Sequence, residues 1–235
     1  MTAILKRELK SYFYSPLIYI LMSIFFIISF VFFFTTNVFY GDAHLRYLAA
    51  SVNSVFVFIV PMITMRLFSE EKTQRTDQLL FTSPNSITAI VLGKFLSALI
   101  IYILIMSVMI FYAFIISIYA DFDLVGFIFL YIAEILIGAA FISVGLFVSS
   151  VSSSMMMSVL VSFGMLVLFY FSEIVPAIFG NPQWLVKFFS FFSLSYRFNG
   201  FAIGLLSLDA IVYYLSFASI FVFITIRMID KKRWS

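Results

Sequence analysis

Six apolar stretches divide this 235-residue chain, at roughly 17 to 36, 46 to 66, 88 to 119, 125 to 149, 155 to 175 and 207 to 229. Each is near the ~20 residues that a helix needs to cross a hydrocarbon core ~30 Å thick. Between the second and third lies one charged insert, PMITMRLFSEEKTQRTDQLLFTSP, at 61 to 84. The apolar runs are long and lack alternation of period two. Lipid offers no water to an unpaired peptide group, so they predict helices rather than barrel strands. Composition agrees: 64% of residues are hydrophobic and 11% charged, with a mean hydropathy of +1.15. Soluble domains run near 45 to 50% apolar and about 25% charged. The expected fold is therefore an all-α membrane protein with six transmembrane helices, folded as one domain over 1 to 235.

A net charge of +3 is small, and the basic residues sit beside apolar runs instead of forming a stripe, which argues against nucleic acid as a partner. With 0 cysteines there is no disulfide framework, thiol nucleophile or cysteine metal site. The first apolar run follows Lys6, Arg7 and Lys10 but exceeds the ~7 to 15 residues of a cleavable signal and lacks a small-residue cleavage site, so it reads as an uncleaved first span.

Orientation follows from the basic residues, which collect in cytosolic loops. Lys6, Arg7, Lys10, Arg66, Lys72, Arg75, Lys94, Arg227, Lys231, Lys232 and Arg233 fall on one side, and only Arg46, Lys187 and Arg197 on the other. The expectation is a multi-pass protein of the cell membrane with both termini and the insert in the cytosol.

Two segments are not read as spans. Residues 2 to 14 place Ile4, Leu5, Leu9, Tyr12 and Phe13 near helical spacing with Lys6, Arg7 and Lys10 between them, and Pro16 closes the segment. That pattern predicts an amphipathic helix in contact with the lipid interface. Residues 176 to 205 are apolar but cut by Gly180, Pro182, Lys187, Arg197 and Gly200, which predicts short re-entrant helices between spans five and six.

In the insert, Arg66, Glu70, Glu71, Lys72, Arg75 and Asp77 precede Leu79, Leu80 and Phe81, and Ser83 and Pro84 act as stop signals. Helical spacing lets Glu71 meet Arg75, with Leu67, Phe68 and Phe81 packing toward neighbours. Read alone, such a charge run is also compatible with a solvated connecting loop.

The segment EEKTQRTDQLLFTSP resembles the ABC-2 family of exporter permeases, whose insert after the second span runs approximately E-E-K-x-x-G-T-x-E-L-L-x-T-x-P. Glu70, Glu71, Lys72, Thr76, Leu79, Leu80, Thr82 and Pro84 match, while Arg75 stands for the usual Gly and Gln78 for the usual Glu. IGAAFISVGLFVSSVSSS at 137 to 154 and the basic end IRMIDKKRWS are similar to the gliding-motility and NosY-like branch of that family.

The resemblance implies a half-transporter whose insert is a coupling helix, with Arg66, Glu70, Glu71, Lys72, Arg75 and Thr76 seated against a separate ABC ATPase subunit. It implies a second permease chain, identical or not, and places ATP and Mg in the partner. This chain would hold no cofactor and act as a non-catalytic permease. Consistent with that, Gly93-Lys94 is followed by Phe95 and lacks an upstream Gly, so it is no phosphate-binding loop; Lys94 reads instead as an interfacial anchor. The alternative is a non-transporting anchor or sensor docking a cytosolic regulatory partner. Glu70 to Arg75 also reads E-E-x-x-x-R, a motif of intramembrane proteases, but those need downstream histidines and the one histidine here, His44, is upstream.

Glu134 lies about 14 Å along its helix from the outer start near Val125, close to mid-bilayer. An acid there is a candidate for the transport path, or else a packing residue bonded to a neighbouring helix. Gly138, Ala139, Ala140, Ser143 and Gly145 predict close helix packing, with a seam between two permease copies as the sharper version. Met155, Met156 and Met157 point in three directions on a helix, which argues against a metal site.

Overall fold

The computed structural model describes residues 2–41, 45–73, 86–180, 182–202 and 207–234. Among them there are helices and no strands, and six helices are long and apolar enough to cross a membrane: Pro16–Phe39, Arg46–Thr73, Ile87–Tyr119, Leu124–Val151, Met155–Ile178 and Leu208–Lys231. The chain is a multi-pass membrane protein. His44, Arg75 and Thr76, and the motif positions Leu79, Leu80, Thr82 and Pro84, lie outside the described residues.

Local chemistry sets where the spans begin. Ser15, Ser86, Asp123 and Ser154 stand at extended backbone just before a helix, and each side chain accepts a bond from a first-turn amide: Leu17, Ala89, Gly126 and Met157 respectively. Such caps satisfy amides that the helix cannot pair itself. Pro16 follows Ser15 at the first helical position, where its missing N–H costs nothing. The first span ends in a π-helical turn, Phe34–Phe39, followed by Gly41 at φ 68°. The third is interrupted at Ser107, whose hydroxyl bonds the Leu104 carbonyl.

The second span is the most enclosed. Its Phe56 ring lies 4.7 Å from Phe25 of the first span and 4.4 Å from Tyr102 of the third, centroid to centroid. Tyr102 in turn lies against Gly138 of the fourth, where a Cβ would collide with the ring. Gly145 meets the Thr64 side chain in the same way. The small residues of the fourth span thus serve close packing, as expected. Gly138 and Gly145 face other helices of the same chain, which removes them from a seam with a second copy.

Residues 2 to 14 form the expected helix, Thr2–Tyr14, and pack against the start of the third span. Ile4 and Tyr12 are buried while Phe13 is exposed, so the inner face follows Ile4, Glu8 and Tyr12. The fifth span ends in a short helix, Val175–Ile178, and between it and the sixth two further helices occupy Gln183–Phe192 and Leu194–Ala202. Leu194, Phe198 and Phe201 are buried, and Tyr214 of the sixth span donates to the Leu194 carbonyl at 2.5 Å. Gln183–Phe192 buries nothing and exposes Trp184, Phe188 and Phe191.

Candidate functional site

The helix of the second span breaks after Thr64. Pro61 cannot donate, the chain turns through 65 to 68, and a short helix, Ser69–Thr73, begins the charged insert. A break leaves carbonyls and amides without helical partners, and burial makes each one costly unless something else bonds it. Three neighbouring helices supply the partners. Tyr12 of the N-terminal helix donates to the Ile63 carbonyl at 2.8 Å. Ser149 of the fourth span donates to the Met65 carbonyl at 3.2 Å and accepts from the amides of Phe68 and Ser69 at 3.0 and 3.1 Å. Lys94 of the third donates to the Leu67 carbonyl at 2.5 Å.

Lys94 is the centre of an ion cluster. Its side chain is 1% exposed, and Nζ lies 3.1 Å from Glu8 Oε1 and 3.0 Å from Glu71 Oε1. Arg7 closes the group from the surface, 2.8 Å from Glu8 and 3.0 Å from Glu71. Two cations and two carboxylates from three helices therefore balance one another at the foot of the insert. Burial opposes ionisation of Glu8, but the Lys94 charge and the bonds from Arg7 and Lys94 outweigh it and hold this carboxyl below the ordinary value of 4.5. Burial also pushes the Tyr12 phenol up, so it remains a donor at any physiological pH.

The matched charges of the insert are used within the chain. Arg66 grips Glu70 with two bonds, 2.8 and 2.9 Å, four residues along, and reaches the Ser15 hydroxyl. Glu71 joins the Lys94 cluster; its expected partner Arg75 is outside the described residues. Lys72 donates to the carbonyls of Ser150 and Ser152 at 2.5 and 2.8 Å, at the end of the fourth span. A cation is favoured at that end of a helix, where carbonyls lack intrahelical partners. Lys6, Arg7 and Lys10 of the N-terminal helix are exposed, Arg7 alone of them reaching into the cluster.

One sequence reading is corrected: Lys94 is not an interfacial anchor reaching outward. Its side chain is buried, and three acceptors converge on it from inside: Glu8, Glu71 and the Leu67 carbonyl.

Higher in the bundle, Glu134 is fully buried and meets a packing partner. Asn53 of the second span donates to Glu134 Oε1 at 3.1 Å, and Tyr102 of the third donates to the Glu134 carbonyl at 3.1 Å. Glu134 Oε2 and Asn53 Oδ1 have no hydrogen-bond partner among the described residues. Two clefts flank the π-helical end of the first span. One of about 550 Å³ opens between Thr36 and Tyr47, and one of about 450 Å³ between Asn37 and Tyr119. Glu134 lines neither. No cluster of three metal-ligating side chains occurs among the described residues.

Several of these residues escaped the sequence reading. Glu8 carried a signal, being an acid at the i+4 and i−4 positions of Ile4 and Tyr12 on the apolar stripe. Asn53 was the one amide in its span. Ser149 was hidden in a serine run, because nothing local says which hydroxyl a remote helix break will need.

A family model described as ABC-2 family transporter protein matches residues 2–188. That range takes in the N-terminal helix, the insert and the first five spans. No curated protein matches the chain.

Proposed function

From the chain's membership of the ABC-2 family of transporter proteins, we propose that it is the membrane permease subunit of an ATP-driven exporter, with residues 67 to 82 as its coupling element. The observation that carries this reading is the foot of the insert. Glu71 ties it to the N-terminal helix and the third span, Lys72 ties it to the fourth, and Glu70 braces it locally through Arg66. A segment clamped in this way passes a push to the bundle as rigid-body movement, whereas a free loop would absorb it.

ATP and Mg belong to a separate ABC ATPase subunit, and this chain contributes no catalytic group. A second permease chain completes the path through the bilayer. Both termini and the insert face the cytosol, on the strength of the basic asymmetry. The N-terminal helix lies along the cytosolic interface with Lys6 and Lys10 toward headgroups, and Gln183–Phe192 dips into the outer leaflet with its exposed aromatic face. The chain acts as a single domain over 1 to 235, supported by one continuous cluster of buried apolar side chains. Within the family, the Ser-rich fourth span and basic end favour the gliding-motility and NosY-like branch.

Because Glu70 and Glu71 are engaged inside the chain, charge reversal there would disturb the bundle before it reached a partner. Thr76→Pro is the cleaner probe of docking, since a proline in the helix proposed for the coupling element would cost about 3 kcal/mol or more. The chain is purified with its ATPase and ATP hydrolysis and transport are measured in lipid. The expectation is a membrane-inserted variant that loses ATPase association or transports less per ATP. Normal association and transport by Thr76→Pro would reduce the insert to a connecting loop, and failure of any ATPase to copurify with the native chain would favour an anchor or sensor.

A further inference from the structure

The insert is covalently joined to the second and third spans, yet its most complete hold is on the fourth. A hydroxyl offers one proton and two lone pairs. Ser149 Oγ uses all three, donating to the Met65 carbonyl and accepting from the amides of Phe68 and Ser69. One side chain thereby closes both helix ends at the break. The reverse bonds are equally specific: Ser69 Oγ donates to the Ser149 carbonyl at 3.1 Å, and Lys72 caps Ser150 and Ser152. Ser69 and Ser149 are both fully buried, so water does not stand ready to replace what is broken.

Resting on the permease reading, we infer that Ser149 is a positioning residue that makes the fourth span follow the insert and carries its motion to Glu134. Sliding the insert across the fourth span would break these buried bonds together, whereas moving the two as one body breaks none. The fourth span is an uninterrupted helix, Leu124–Val151, so the fifteen residues from Ser149 back to Glu134 span about 22 Å without a hinge. Its two glycines in that stretch are braced by Tyr102 and Thr64. A displacement at the cytosolic foot therefore arrives undivided at the buried carboxyl and its Asn53 contact.

The absence of native cysteine permits a direct test. Spin labels are placed on Thr73→Cys and Val151→Cys, both exposed positions, and their separation is measured in the complex with the ATPase, with and without ATP. The expected separation is the same in both states, and Ser149→Ala should make it vary. In the permease alone in nanodiscs, Ser149→Ala should raise amide hydrogen exchange at Phe68 and Ser69 by roughly tenfold, with Ser149→Thr restoring it. If threonine does not fold at that buried site, Lys72→Met supplies the second arm, loosening the same joint from the other side. A separation that changes on ATP binding in the Ser149 chain, or exchange unaltered by Ser149→Ala, overturns the inference. A complex that hydrolyses ATP and transports nothing would count against the permease reading instead, and the two label distances would still decide the joint.

Discussion

Replacing Lys94 with methionine keeps an unbranched side chain of similar length and removes only the charge and its donors. The structure makes this a severe change. Lys94 is 1% exposed, and its ammonium is the shared partner of Glu8, Glu71 and the Leu67 carbonyl. Without it, two carboxylates whose bonded oxygens lie 3.1 and 3.0 Å from the same point face each other with Arg7 as their remaining described cation, and Leu67 loses its donor. Removing one partner of a buried ion pair costs about 3 to 5 kcal/mol. Arg7 offers the internal comparison, because its side chain is 57% exposed although it touches the same two acids. Solvent screens such a pair, so Arg7→Ala should cost about 0 to 1 kcal/mol. Thermal unfolding in lipid nanodiscs should therefore show a depression for Lys94→Met at least roughly three times that of Arg7→Ala. Glu8→Gln combined with Lys94→Met should cost less than the sum of the single changes, since one loss relieves the other. Equal, small shifts for Lys94→Met and Arg7→Ala would refute the cluster as a structural centre.

The same cluster gives a pH signature. The Glu8 carboxyl is held below 4.5, so its contribution is complete above that value and is lost as pH falls through the depressed one; Glu8→Gln should remove this acid-side loss from a series of melts. Gly138→Ala should destabilise by about 1 to 3 kcal/mol, because the new methyl meets the Tyr102 ring. Gly164→Ala meets nothing and should stabilise by up to about 1 kcal/mol, and reversed signs in the two melts would disprove the packing account. Glu134→Gln keeps an acceptor for Asn53 and should assemble normally while altering export; unchanged export at normal expression would leave Glu134 a packing residue, and Glu134→Lys should prevent folding. Cysteines at Ser11 or Ser86 should be shielded from an impermeant thiol reagent in intact cells and one at Asp121 should react; labelling of Ser86 from outside would invert the proposed topology.

The spans were legible in the sequence because they depend on local quantities, whereas the breaks after Thr64 and at Ser107 were not. The length of an apolar run sets whether a helix can cross lipid, and a serine, aspartate or proline beside it acts on amides within one turn. The expected windows and the observed helices therefore agree closely, down to the N-terminal helix that stops before Pro16. The small residues of the fourth span likewise announced close packing, since only a missing side chain lets a ring or a neighbouring helix approach. What those residues touch was not local. Lys94 lies 86 residues from Glu8 and 23 from Glu71, and in sequence it looks like any lysine at a membrane border. Ser149 is one of several serines in its run until the break after Thr64 is brought beside it, 84 residues away from Met65. Asn53 and Glu134 each read as an isolated polar residue in an apolar helix, and only packing of the second span on the fourth makes them partners. Hydrophobicity and capping are properties of a segment and can be read from it. Pairing of buried polar groups is a property of which segments meet, and only the tertiary structure decides that.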